Sequence, residues 1–275
     1  METQTSPRFS ARYPAPGGIF PAVLRLDGHT LSLAADLPAL EACLALERGS
    51  AVPLSAQGVH SPQAVPYCDF LMLRGPQGNL AAVSRLMRLD AGNPIPNPLA
   101  AGRFQLSPLL TALRYSREGI LEMGAPAFAR GTAAQAASRA ARLLWTGMAL
   151  YLERNGLGFV IGRDALAVPS EAAPGWKGLM AEHGLPPDLE TEPRPVYRAA
   201  GGEAEPVLPA SAPDHFRYAS EPLRFWPAGL QEALLRGCRL ACEPAYDPVH
   251  ASLEFVWVAS RDMLEERPDW RGGMR

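Results

Sequence analysis

Residues 119–162 constrain the fold more than any other part of this chain. The run Ile120–Gly124 reads as a strand, Arg130–Ala134 as a loop of small residues, and Leu157–Gly162 as a second strand. Between them, apolar side chains at Ala140, Ala141, Leu143, Leu144, Met148, Tyr151 and Leu152 keep helical spacing, and Gly156 stands just past the end as a stop. A strand–helix–strand unit of this kind predicts two parallel neighbours in one sheet, joined by a right-handed crossover and splayed at their ends. A strand that opens through small residues into a helix also offers unpaired N–H groups and a positive dipole end. That combination suits a phosphate or pyrophosphate.

The rest of the chain reads as further strands and helices around the same sheet. Val23–Leu26 and Thr30–Leu33 flank an Asp27–Gly28 hairpin turn. Asp36 is placed to cap a helix running to about Arg48, with Pro38 in its first turn. Strands are expected at Phe70–Leu73, Leu80–Leu89 and Leu253–Ala259, and helices at Leu106–Arg114 and Pro227–Leu240. This predicts an α/β (α+β) fold, a mixed sheet flanked by helices in a single domain. Residues 1–20 read as a flexible leader, 21–265 as the domain and 266–275 as a tail.

Composition narrows the functional classes. A formal net charge of −2 gives no basic field for nucleic acid. Lys177 is the sole lysine, so arginine is the default base here and a single arginine says little. The N-terminal stretch has Arg8 and Arg12 but no apolar segment like that of a secretory signal, and no apolar run reaches membrane-spanning length. With four scattered cysteines, this points to a reduced, cytoplasmic setting. No metal is expected: Cys238 and Cys242 share a helix face in this reading but have no paired His/Cys motif beside them. His183 and His215 lack a nucleophile partner, and Gly156, Gly158 and Gly162 lie in a helix-to-strand turn, the wrong context for a dinucleotide site.

The order of Glu122–Gly124, the small-residue loop, Leu143–Gly147, Tyr151–Gly156 and the following strand resembles the amine N-acyltransferases of the GNAT superfamily. Within it, the chain is most similar to the ornithine N-acyltransferases that take a fatty acyl chain from acyl carrier protein, with acyl-homoserine-lactone synthases as more distant relatives. Leu33–Leu46, Tyr67–Leu73, Ala82–Arg88, Phe104–Leu110, Leu179–Leu189 and Cys242–Pro248 carry the likeness over roughly residues 31–265. The resemblance implies a GNAT-like sheet and transfer of a fatty acyl group from an acyl-carrier-protein phosphopantetheine or CoA thioester to a small amine such as an amino acid. No tightly bound cofactor is implied. Peripheral membrane contact and a partner subunit are further associations it allows.

Several polar positions of that family differ here. Glu47–Ala51 replaces an arginine-rich segment, Val65 an acidic residue, Phe70 a histidine, Ala125 an arginine and Gln231 a lysine. A catalytically degenerate protein that binds an acyl chain, a carrier protein or a partner subunit is therefore the alternative function. Of the positions that remain, the resemblance makes Glu122 the catalytic base, and a structural ion pair is the plain alternative. Carbonyl polarisation would come from backbone N–H groups at a bulge in the Glu122 strand. Arg85 is a candidate for a substrate carboxylate, against a solvated strand residue. Asp247 is a candidate for the amine, against a turn cap before Pro248. Arg130, Gly131, Thr132, Arg139 and Arg142 are candidates for the acyl donor, against a solvated helix face.

Overall fold

The computed structural model describes residues 20–49, 67–89, 98–115, 118–167, 176–198, 226–247 and 252–265. The expected tail, nearly all of the leader, His215, Val65 and Pro248 lie outside the described residues. The hairpin forms as β1 (Leu24–Leu26) and β2 (His29–Leu33), with positive φ at both Asp27 (49°) and Gly28 (73°), as a tight primed turn requires. Helix α1 (Leu37–Gly49) starts where the Asp36 carboxylate accepts the Ala39 N–H at 2.8 Å. Strands β3 (Cys68–Arg74) and β4 (Leu80–Arg88) follow, then a 3-10 turn at Leu99–Gly102 and β5 (Phe104–Gln105). Helix α2 (Ser107–Tyr115) leads into the central unit of β6 (Gly119–Met123), β7 (Ala127–Phe128), α3 (Ala134–Arg154) and β8 (Leu157–Ala167). Then come α4 (Trp176–His183), β9 (Glu192–Pro193), α5 (Ala228–Leu235), β10 (Arg239–Leu240), β11 (Ala245–Asp247), β12 (Ser252–Ser260) and α6 (Arg261–Glu265).

The fold is mixed α/β, a large and mostly antiparallel sheet flanked by helices. Its strand order is β1-β2-β3-β4-β6-β8-β12-β10, with β7 also on β4 and β11 also on β12. Among the described strands only β6 and β8 pair in parallel, as the crossover through α3 dictates. Two sequence expectations need correction. The second central strand continues five residues past Gly162, and the charged pair Arg163–Asp164 hid this extension because each side chain is buried on an opposite face. The helix expected to reach Leu240 stops at Leu235, because Gly237 adopts φ 85° and turns the chain into β10. Cys238 and Cys242 therefore share no helix face; both are buried.

Side-chain alternation sorts the core by face. Leu71, Leu86, Leu121, Met123, Val160, Phe255 and Trp257 pack under α3 and α5. On the opposite face are two separate apolar clusters. One joins α1 to β3 and β4 through Cys43, Phe70, Met72, Val83 and Met87. The other joins α2 to the later strands through Leu109, Leu113, Ile120, Ile161, Val256 and Val258. Between and beside these two clusters lies a row of buried charge. Among the described residues no helix is long and apolar enough to cross a membrane.

Candidate functional site

The site begins with a bulge. Leu86 pairs with Met123 and Val83 with Ala127, so Gly124, Ala125 and Pro126 stand opposite only Ser84 and Arg85. The Gly124 N–H donates to the Arg85 carbonyl at 2.8 Å, and the Ser84 hydroxyl donates to the Gly124 carbonyl at 3.0 Å. Pro126 has no N–H, which leaves the Ala125 N–H as the one donor of the bulge that no described group accepts. At this point β6 ends while β8 runs on beside β12, so the parallel pair splays past Met123 and Gly162. Ala125 and Ala165 meet across the splay.

Buried charges line one side of it, each placed there by strand alternation. Arg85, 2% exposed, is clamped by Glu47 of α1, with Nε 3.3 Å from Oε1 and Nη2 2.6 Å from Oε2. Burial pushes the Glu47 carboxyl up, against the pull of Arg85. The Arg85 guanidinium also lies 5.1 Å over the Phe70 ring. Glu122 accepts the Leu99 N–H at 2.5 Å and the Ala100 N–H at 2.9 Å, and Arg163 Nε stands 3.2 Å from its Oε1. It thus holds the start of the 99–102 turn onto the sheet. Farther along, Arg103 serves two carboxylates, Asp247 at 2.9 Å and Glu254 at 3.1 Å, beneath the Tyr197 ring.

The other face of the splay is closed by α5. Asp164 accepts the Trp257 indole N–H at 3.1 Å and the backbone N–H of Leu230. A Cβ on Gly229 would come within 2.5 Å of the Asp164 carboxylate and 2.9 Å of Pro126, so only glycine lets α5 approach this closely. Burial raises the Asp164 carboxyl to about 7, partly offset by those two donors. A carboxyl raised on folding binds more protons in the native state. Its contribution is therefore fully present below the ordinary value of 3.8 and lost as pH rises through about 7. Asp164→Asn should make thermal stability less dependent on pH between 4 and 8, with a gain at pH 8 of at most ~4 kcal/mol. Melting curves across that range check it, and a variant that melts lower than wild type at pH 8 refutes it.

The structure brings Arg85, Glu122 and Asp247 to one face of the sheet, together with Glu47, Arg103, Arg163 and Glu254, which the sequence did not single out for a role. The ion pair posed as the alternative for Glu122 is present, and so is a carboxylate partner for Arg85. Asp247 is buried and paired with Arg103, and the turn at Pro248 that it was posed to cap lies outside the described residues. The signal that could have found Arg163 and Glu254 is a charged residue inside an otherwise apolar strand, which burial requires to be paired.

The donor candidates lie apart from this row. Arg139 and Arg142 line a cleft of about 810 Å³ with Asp27, His29, Gln135, Ala136 and Ser138. The start of α3 carries no side-chain cap. Arg139 already touches Asp27, at 3.5 Å from its carboxylate. Arg130 turns away to donate to the Gly49 carbonyl, Gly131 takes φ 75°, and the Thr132 hydroxyl donates to the Ala129 carbonyl.

No protein-family model and no curated protein sequence matches this chain. Among solved structures it is similar to FeeM, an N-acyl amino acid synthase from uncultured soil microbes, with a TM-score of 0.45 and 10% sequence identity over 90% of this chain and 94% of that one.

Proposed function

We propose that the protein is an N-acyltransferase that moves a fatty acyl group from a carrier-protein or CoA thioester to an amine. The observation that carries this reading is the uncommitted Ala125 N–H in a bulge at the mouth of a splayed parallel pair. A thioester carbonyl lying in the splay would meet that donor, which needs no side chain and does not move as charge develops on the oxygen. The phosphate end of a pantetheine arm would reach the uncapped start of α3 and the Arg139–Arg142 cleft. Glu122 would take the amine proton through water. A carboxylate has about four acceptor positions, and two are used by Leu99 and Ala100.

A second reading, that of a binding protein without catalysis, is favoured by the same residues. Glu122 and Arg85 each already face a counter-charge within the chain, Arg163 and Glu47, which weakens what either can offer a substrate. Purified protein incubated with acyl carrier protein or CoA thioesters and a panel of amines, with products read by mass spectrometry, separates the two. Transfer supports the enzyme, and its absence across the panel leaves the binder.

Reversing charge at Arg139 and Arg142 is expected to weaken carrier-protein binding, with most of the loss at low ionic strength. Calorimetry at two salt concentrations checks it. Unchanged affinity moves the donor site off the α3 cleft.

A further inference from the structure

We propose that a buried nook formed by Glu254 and Ser252 seats the ammonium group of an aliphatic di- or polyamine. The acyl acceptor is then a cationic amine that carries no carboxylate, an inference that rests on the acyl-transfer reading above. Glu254 is 1% exposed; Arg103 Nε stands 3.1 Å from its Oε1 without the geometry of a hydrogen bond, and its Oε2 has no partner, while Ser252 is 0% exposed and its hydroxyl has no partner. Two apart on β12, they share one face, and Asp247 stands directly opposite Ser252. Arg103, whose guanidinium lies against the nook, is divided between Asp247 and Glu254. Buried acceptors left open are costly, and an ammonium brings three donors and the matching charge.

A neighbouring groove is acidic as well. A groove of about 590 Å³ is lined by Glu190, Glu192 and Glu243 with Trp176 and Arg198, and Arg198 is already paired with Glu192. Arg198 bridges to Ala245, which lies opposite Glu254, so the groove is two strand spacings, ~10 Å, from the nook. A cleft lined by negative charge concentrates cations. On its other side the nook is one strand from the splay, because Glu254 pairs with Ala165 and Ala165 packs on Ala125. A short diamine held at Glu254 thus extends its second nitrogen toward the bulge. A carboxylate finds a weaker reception: Arg85 keeps one unpartnered nitrogen, Nη1, but Glu47 grips its guanidinium at two points and offsets its charge, and Glu122 faces Arg163.

The test is calorimetric titration of the full chain, without acyl donor, by 1,4-diaminobutane, butylamine and ornithine at constant ionic strength. The diamine should bind at least ~10-fold tighter than ornithine, and Glu254→Gln should weaken it by ~10-fold or more, the scale of one charged hydrogen bond. Should Glu254→Gln fail to fold, Ser252→Ala decides, with several-fold weaker diamine binding at an unchanged melting temperature expected. Glu47→Gln, which frees Arg85, should raise ornithine affinity. The proposal is overturned if no amine binds the wild type, if ornithine binds as tightly as the diamine, or if both nook variants bind like the wild type. Diamine binding without acyl transfer retains the site and removes the transferase reading instead.

Discussion

Glu122→Gln is expected to reduce acyl transfer by ~10²–10⁴-fold, the range spanned by loss of a positioned base. It is also expected to lower the melting temperature. The carboxylate receives N–H donors from Leu99 and Ala100 and faces Arg163, all in an environment where it is 2% exposed. An amide offers one oxygen where two acceptors were used and sets its own N–H₂ against a donor, which costs ~1–3 kcal/mol. Transfer should therefore be measured under single-turnover conditions at a temperature where the variant is folded, alongside its melting curve. A large loss of rate in folded protein assigns proton acceptance to Glu122. If the rate persists while the melting temperature falls, Glu122 is the anchor of the 99–102 turn, and water or the free-base amine takes up the proton.

Glu47→Ala is expected to destabilise the protein by ~3–5 kcal/mol, because it strands the Arg85 guanidinium away from water without its counter-charge. Replacing both partners, as Glu47→Leu with Arg85→Met, should be near neutral or stabilising by up to ~4 kcal/mol, since two desolvated charges leave together. Chemical denaturation of the two variants and of Arg85→Met alone completes a double-mutant cycle. A cost below ~1 kcal/mol for Glu47→Ala shows that the pair is hydrated and contributes as little as an exposed one.

What could be read from the chain was local. The period of α3, the Asp36 cap and the Asp27–Gly28 turn are each set by residues within a few positions of one another, and each forms as expected. The parallel pairing of β6 with β8 follows from the intervening helix. The site depends on pairings across long stretches of sequence. Glu47 meets Arg85 across 38 positions, and Arg103 meets Asp247 across 144. The placing of the bulge at Gly124–Pro126 emerges only from the register of β6 and β7 against β4. The sequence pattern ends the second central strand at Gly162, because the burial of Asp164 is made tolerable by Trp257 and Leu230, both far along the chain.

The short central strand has a mechanical consequence. β12 is paired with β8 along all of Ser252–Ser260, and β3 with β4 along all of Cys68–Arg74, whereas β6 joins these two blocks through only Gly119–Met123. The sheet is therefore two stiff plates with a narrow waist. Prising the plates apart breaks fewer ladder bonds at the waist than at either neighbouring seam. Helix α3, which packs on strands of both plates, is the strut that opposes the opening. Local fluctuations should then concentrate at the waist, and slow amide exchange should persist longest within each plate.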